Sequence, residues 1–119
     1  MGVFEVDIGV GHPDGGDLAP VTAMVDTGAA HSMIPDSLLT GLGMKPIERD
    51  EYILADGSPV EYGWGLARFA ISGRELPCPV IFGPEDEFLL GATTLENFSF
   101  MADPIGKRLV STPRRARSI

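Results

Sequence analysis

The stretch Ala23-Met24-Val25-Asp26-Thr27-Gly28-Ala29 carries an apolar strand directly into a tight loop of small residues. A carboxylate delivered in this way stands on a rigid base with open space above it. The Thr27 hydroxyl can form local hydrogen bonds, and Gly28 lets another backbone approach closely because it has no Cβ. Asp, Thr and Gly also favour β-turns. The tripeptide alone therefore leaves two interpretations open, a catalytic carboxylate and a turn in an inactive domain.

The segments on either side of this stretch alternate apolar and polar residues with a period of two. The alternation over 4–10 predicts a half-buried strand, and residues 21–25 predict a second strand that returns antiparallel to it. A short strand over 31–34 follows the loop. Residues 35–39 then predict one or two helical turns that end at a glycine.

Turn signals divide the second half of the chain into hairpins. Their centres are residues 55–57, 72–74 and 103–106. Residues 88–90 predict a short buried strand, and 91–97 predict a short helix. Many short strands with little helix indicate an all-β fold, which we expect to be a small closed barrel with one short helix.

The chain of 119 residues fits one domain. We expect a folded domain over 1–111 and a basic, mobile tail over 112–119. All 17 acidic residues precede Pro113, whereas three of the nine basic residues (Arg114, Arg115 and Arg117) follow it. The strongly acidic body argues against nucleic-acid binding, because binding to phosphates needs basic surfaces.

Cysteine and histidine are scarce. Cys78 is the one cysteine, so no internal disulfide can form, and we interpret it as a core thiol. Two distant histidines and one cysteine give no metal spacing, so we expect no metal. The start MGVFEVDIGV has no basic, continuously apolar leader, and no stretch is long enough to span a bilayer. We therefore expect no membrane contact and a cytoplasmic protein.

Three features occur in an order and spacing that resemble the retroviral-type aspartic proteases (retropepsins) and their bacterial and archaeal single-domain relatives. They are Val25-Asp26-Thr27-Gly28-Ala29, a hairpin over 53–62 with a glycine near its tip, and Leu89-Leu90-Gly91 before a short helix. The resemblance extends from Val3 to Val110. It implies a closed, mostly β fold, a mobile flap over a cleft, and hydrolysis of peptide bonds by an activated water.

The resemblance also implies roles for individual residues. Asp26 would be the catalytic carboxylate, Thr27 would join two loops across a dimer axis, and Gly28 would offer its carbonyl to the substrate. The flap would cover roughly 50–62. The expected substrate-binding residues are Gly28, Ala29, Ala30, Leu54, Ala55, Asp56, Gly57 and Leu89.

The mechanism of this family needs two carboxylates that share a proton. The sequence contains one Asp-Thr-Gly and no Asp-Ser-Gly, so one chain supplies one carboxylate. A homodimer with twofold symmetry would supply the second. We expect a peptide or protein substrate, a catalytic water as the one non-protein component, and a dimer interface formed mainly by the C-terminal hairpin over 98–111.

The sequence departs from the retroviral pattern at two places. Ala30 and His31 follow Ala29 where an acid is usual, and Ala92-Thr93 follow Gly91 where Arg-Asn is usual. The departures keep two alternatives open: a weak or inactive module for peptide binding or dimerisation, and a structural domain with no cleft.

Two aromatic residues near the motif also have two interpretations each. His31 is interpreted as a partly buried structural residue, with substrate contact as the alternative. Trp64 would fill the core below the flap or line the cleft. The glycines on either side of Trp64 predict a kink or bulge there.

Overall fold

The computed structural model describes residues 2–113, which form nine strands and two short helices. In chain order these are β1 (Gly2–Gly11), β2 (Leu18–Asp26), β3 (Ser32–Pro35), α1 (Asp36–Gly41), β4 (Glu48–Ile53), β5 (Pro59–Ile71), β6 (Arg74–Gly83), β7 (Leu89–Leu90), α2 (Ala92–Phe98), β8 (Phe100–Asp103) and β9 (Arg108–Ser111). Most of the predicted basic tail, residues 114–119, lies outside the described residues. Thr112, where that tail was predicted to begin, donates hydrogen bonds from N and Oγ1 to the carbonyl of Ser99 at 2.7 and 3.0 Å.

Seven strands form one sheet in the order β1-β2-β7-β3-β6-β5-β4. Because β1 also pairs with β5 over Gly9–Gly11, the sheet returns on itself. β8 and β9 form a separate two-stranded sheet. The expected all-β fold is confirmed, and both segments predicted to be helical form short helices. Neither helix in the described part of the chain is long and apolar enough to cross a membrane.

One face of the large sheet forms the core. The alternation of apolar and polar residues places every second side chain of a strand on this face. Its residues on adjoining strands are fully buried: Val25, Leu90, Ile34, Val80, Ala67 and Phe69. Burial of each large apolar side chain contributes about 1.5–3 kcal/mol to folding. This face therefore supplies most of the stability and leaves the opposite face available for other contacts.

The predicted bulge beside Trp64 is wrong, because β5 pairs with β6 in an unbroken register from Gly63 to Ile71. The two glycines have another physical reason. A Cβ on Gly63 would lie 2.8 Å from the Cβ of Pro46, and one on Gly65 would lie 3.2 Å from the ring of Phe82. Both positions are glycine because other parts of the chain pack directly onto the strand.

Arg74 fastens the C-terminal elements to the barrel. Its guanidinium lies 5.4 and 5.9 Å from the ring centroids of Phe98 and Phe100, and it donates a hydrogen bond to the Phe98 carbonyl at 2.8 Å. A cation–π contact of this kind contributes about 0.5–1 kcal/mol at an exposed position. Between the two rings, Ser99 adopts a left-handed conformation (φ 58°) that turns the chain from α2 into β8.

Candidate active site

Asp26 is the last residue of β2, where it pairs with Gly2 of β1. The N–H of Gly28 donates to Asp26 Oδ1 at 3.0 Å, and the N–H of Ala29 donates to the Asp26 carbonyl at 3.1 Å. The side chain is half-buried. Strand and turn together hold the carboxylate in one orientation and leave part of it accessible.

The pKa of Asp26 lies below its ordinary value in the single chain. The N–H groups of Gly28 and Ala29 contribute to this lowering by hydrogen bonding to Asp26. Burial opposes these effects by disfavouring the charge. A lone copy therefore holds Asp26 ionised, which is the state of a base.

The loop after Asp26 rests on the start of α2. The N–H groups of Ala92 and Thr93 donate to the carbonyls of Ala29 and Ala30 at 2.8 and 2.9 Å. A Cβ on Gly91 would lie 2.5 Å from the carbonyl carbon of His31, so glycine is needed for this close approach. The segments around the two predicted motifs are thus joined through their backbones.

Ser32 and Thr94 form a buried polar contact that was not predicted from the sequence. Their hydroxyl oxygens lie 2.6 Å apart, and the N–H of Gly91 donates to Ser32 Oγ at 3.0 Å. Both residues are fully buried. The sequence did contain one signal for this contact. Ser32 lies at a core-facing position of a strand, where a hydroxyl without a hydrogen-bond partner is unfavourable. This neutral contact joins β3 to α2 in a chain that lacks the acid and arginine of the retroviral pattern.

Half-buried apolar side chains line the face that carries Asp26. Met24 is two residues before Asp26 in β2 and therefore points to the same face. Its partner in β7 is Leu89, which in turn pairs with Met33 of β3. The structure thus brings predicted site residues Asp26 to Ala30 and Leu89 together at one edge of the barrel.

Further residues extend this face away from Asp26. Met33 pairs with Ile81 of β6, and Ile81 pairs with Trp64 of β5. The rings of His31 and Trp64 lie 6.3 Å apart at an angle of 72°. Nδ1 of His31 is enclosed and, within residues 2–113, has no hydrogen-bond partner. Trp64 therefore does not face the core, as one interpretation of the sequence expected, but lies on the Asp26 face.

The remaining predicted site residues, 54–57, form the tip of the β4–β5 hairpin. The N–H and hydroxyl of Ser58 donate to Asp56 Oδ1 at 2.9 and 2.5 Å, and these bonds lower the pKa of Asp56. Gly57 has a left-handed φ of 87°. The tip is thus a separate group of exposed residues, and it is held by its own hydrogen bonds.

Two tyrosines lie on the half-buried face of the same hairpin. The rings of Tyr52 and Tyr62 are 6.0 Å apart. Burial raises the pKa of Tyr52, and the charges of Asp50 and Glu48 add to the effect. Because Tyr62 and Trp64 are two residues apart in β5, this aromatic face continues into the apolar face that carries Asp26.

A groove of about 300 Å³ lies on the other side of the loop. Its lining residues are mostly apolar: Thr27, Ala92, Leu95, Glu96, Phe100, Met101 and Ala102. A second cavity of about 550 Å³ lies next to it at the end of the described chain, and the two share Glu96, Phe100 and Met101. Met101 is 56% exposed, which leaves an apolar side chain open beside Thr27.

The described residues contain no group of three or more His, Cys, Asp or Glu side chains arranged to hold a metal ion. Cys78 is fully buried in the core, and burial raises the pKa of its thiol. A protonated, enclosed thiol is a poor nucleophile. Asp26 is therefore the residue of this site with the exposure and charge for acid–base chemistry.

The fold is similar to that of a viral enzyme. The solution structure of Simian Foamy Virus (mac) protease matches with a TM-score of 0.55 and 19% identity, over 76% of this chain and 92% of that chain. At this identity the similarity supports the fold alone. Comparison with curated proteins gave no match.

The sequence also matches a family model described as "gag-polyprotein putative aspartyl protease" over residues 16–97. The matched region is more than half of the chain and contains both Asp26-Thr27-Gly28 and Leu89-Leu90-Gly91. The match agrees with the fold and with the position of the carboxylate at the end of β2. The chain therefore belongs to the gag-type family of retroviral-like aspartyl proteases.

Proposed function

We propose that this protein is an aspartic endopeptidase that works as a homodimer. The observation that carries the proposal is the Asp26 carboxylate, held by the Gly28 N–H at 3.0 Å on a loop that rests on α2. The chain provides this group once. Twofold symmetry would bring two such loops together and create the pair of carboxylates that the chemistry requires.

In the proposed reaction the two Asp26 carboxylates share one proton, because two adjacent charges of the same sign are unfavourable. The ionised partner accepts a proton from a water bound between them while the water oxygen attacks the carbonyl carbon. The protonated partner donates to the carbonyl oxygen. The C–N bond of the resulting intermediate then breaks. The carboxyl that took the water proton donates it to the nitrogen, and the other carboxylate takes a hydroxyl proton from the intermediate, which restores the shared proton. One water is consumed, and no further cofactor is needed.

The neighbouring residues would position the peptide. Gly28 would accept a backbone hydrogen bond from it, with Ala29 and Ala30 beside it. Thr27 would join the two loops across the axis. The tip residues 54–57 would close over the bound peptide, while Leu89 would contact a side chain. Closure would exclude water and align the scissile bond.

The partner copy would cover the groove beside Thr27. An apolar groove next to an incomplete catalytic site is a suitable dimer surface, because its burial and the assembly of the site then occur together. Met101 lines the groove, and Ile105 at the β8–β9 turn is 94% exposed. The C-terminal hairpin over 98–111 would thus contribute Phe100, Met101 and Ala102 to the interface.

The proposal is tested with a peptide library, a statine-type inhibitor and the Asp26→Asn variant. Wild type should cleave, the inhibitor should block cleavage, and Asp26→Asn should bind peptides without cutting them. If wild type and Asp26→Asn bind equally and neither cuts, the chain is a peptide-binding module. If neither binds, it is a structural domain.

Dimer dependence is tested by dilution. Specific activity should fall as sizing shows the dimer dissociating, and Met101→Asp should shift this fall to higher protein concentration. Ile47→Asp is the matched control, because Ile47 is 63% exposed but does not line the groove. Specific activity that stays constant where only monomer is present would contradict the homodimeric mechanism.

A further inference from the structure

The face of the sheet that carries Asp26 contains a continuous row of paired side chains. Met24 pairs with Leu89, and Leu89 pairs with Met33. The pairings of Met33 with Ile81 and of Ile81 with Trp64 complete the row. Directly paired residues of neighbouring strands project to the same face, with their Cβ atoms about 4.5–5.5 Å apart. The row therefore crosses five strands without a break.

This row differs in burial from the core row on the opposite face. Val25 and Leu90, which pair next to Met24 and Leu89, are fully buried. The row on the Asp26 face is only partly covered: Met24, Leu89, Met33 and Trp64 are half-buried, and Ile81 is 7% exposed. Half-buried apolar side chains beside a candidate catalytic carboxylate can gain contacts when an apolar group binds.

The row ends at Trp64, and His31 lies against it. Nδ1 of His31 is enclosed and lacks a hydrogen-bond partner among the described residues. Enclosed polar atoms are seldom left unpaired in folded proteins. Because Nδ1 is enclosed, a bound peptide would reach it only after rotation of the His31 ring. The unpaired atom and the edge-to-face ring contact place His31 at the Trp64 end of the apolar row.

We propose that the Trp64–His31 pair is the outer wall of a substrate side-chain pocket whose floor is the row from Leu89 to Ile81. Trp64 thereby limits the size of the side chain that the enzyme accepts. Strands lie about 4.8 Å apart, so the wall is several residues of extended peptide away from Asp26. The pocket thus takes the side chain of a residue beyond those that flank the scissile bond. The inference rests on the proposed protease function.

The single tryptophan of the chain makes occupancy of this pocket directly measurable. The Asp26→Asn protein is titrated with statine-containing peptides that carry alanine, leucine or tryptophan at each of three positions on either side of the statine. Binding is followed independently by calorimetry. At one position, the leucine peptide should shift the Trp64 emission, whereas the alanine peptide should shift it less.

Selectivity is measured with the matching cleavable peptides. Trp64→Ala should raise kcat/KM for the tryptophan peptide, relative to the leucine peptide, at least about tenfold at that one position. Leu66→Ala is the control, because Leu66 is on the same face of the same strand but outside the row, and the ratio should stay at its wild-type value. Trp64→Phe is a second variant for the case in which Trp64→Ala fails to fold, and the melting temperatures of both variants are measured. Trp64→Phe should give a ratio of the two kcat/KM values between those of wild type and Trp64→Ala.

The outcomes separate this inference from the function on which it depends. If wild type cleaves peptides but the emission does not change and Trp64→Ala lowers kcat/KM equally for all of them, the pocket is overturned and the protease function stands. If no peptide is bound or cleaved, both are overturned. A changed ratio at a single position, together with the emission shift, supports the pocket.

Discussion

The two loops that carry Asp26 and Asp56 use the same local hydrogen bond but differ in what supports them. In each loop the carboxylate accepts the N–H of the residue two positions later, at 3.0 Å from Gly28 and 2.9 Å from Ser58. The Asp26 loop rests on α2 through two backbone hydrogen bonds, whereas the tip around Asp56 is exposed. Turn chemistry alone is therefore compatible with either role, and tertiary support distinguishes a candidate catalytic loop from a surface turn.

The largest expected effect is on catalysis. Asp26→Asn should reduce kcat/KM by about 10⁴-fold or more, because an amide can neither accept the proton of the water nor share one with its partner. Asp56→Asn should change kcat/KM by no more than about threefold, since the side-chain oxygen of asparagine can still accept hydrogen bonds from Ser58. Peptide cleavage at equal dimer concentrations measures both. Equal losses in the two variants would remove the distinction between the loops.

Glycine substitutions test the support beneath each loop. Gly91→Ala should lower the free energy of unfolding by about 3 kcal/mol, because its Cβ would lie within 2.6 Å of both the carbonyl carbon and oxygen of His31. Gly57→Ala should lower the free energy of unfolding by about 1 kcal/mol. The cost comes from its left-handed φ alone, because no atom lies close enough to clash with a Cβ. Urea unfolding compares them. A larger loss for Gly57→Ala would mean that the tip, and not the loop, is the more constrained region.

Hydroxyl removal tests the buried contact. Ser32→Ala should destabilise the fold by about 2 kcal/mol, because the Gly91 N–H loses its buried partner. The same variant should also reduce kcat/KM through movement of the loop. Ser58→Ala removes an exposed hydrogen bond and should cost about 0.5 kcal/mol at most. Thermal unfolding at several denaturant concentrations measures the loss in free energy of unfolding for each variant. Similar losses in Ser32→Ala and Ser58→Ala would contradict a supporting role for Ser32.

Dimerisation itself should depend on pH. The pKa of Asp26 is lowered in the single chain, whereas a dyad holds one shared proton at higher pH, so dimerisation takes up a proton. The dimer should therefore be favoured as pH falls, and its Kd should drop by up to about tenfold per pH unit between the higher pKa of the dyad and the monomer pKa of Asp26. Sedimentation between pH 7 and pH 5 is the measurement.

Two variants calibrate that measurement. Asp26→Asn should lose this component of the pH dependence, while still showing the weaker repulsion that 17 acidic residues per chain produce. Asp56→Asn should retain it, because Asp56 lies at the exposed hairpin tip and is not part of the proposed dyad. A pH dependence that is identical in wild type and Asp26→Asn would exclude proton sharing in the dimer.

Local signals in the sequence were sufficient for most of the fold. The turns at 55–57, 72–74 and 103–106 and the helix after Leu90 form as predicted, because turn and cap preferences depend on adjacent residues. The predicted bulge beside Trp64 failed for the opposite reason. The glycines there accommodate Pro46 and Phe82, which are distant along the chain.

The candidate site was predicted in part. Asp26, Ala29 and Leu89 were named from the motif, and the structure brings them to one edge of the barrel. The Ser32–Thr94 contact and the row ending at Trp64 depend on the register between strands far apart in sequence, which periodicity does not reveal. The catalytic roles themselves remain predictions.

The order of strands around Asp26 has a consequence for biosynthesis. β1 and β2 are adjacent in the chain and can pair early, but the other neighbour of β2 is β7, whose Leu89 pairs with Met24. Contacts between residues so far apart form late, because a long loop must close first. During translation the nascent polypeptide therefore cannot form the β2–β7 pairing next to Asp26 until Leu90 has left the ribosome. The topology therefore delays completion of the Asp26 loop until β7 has been synthesised.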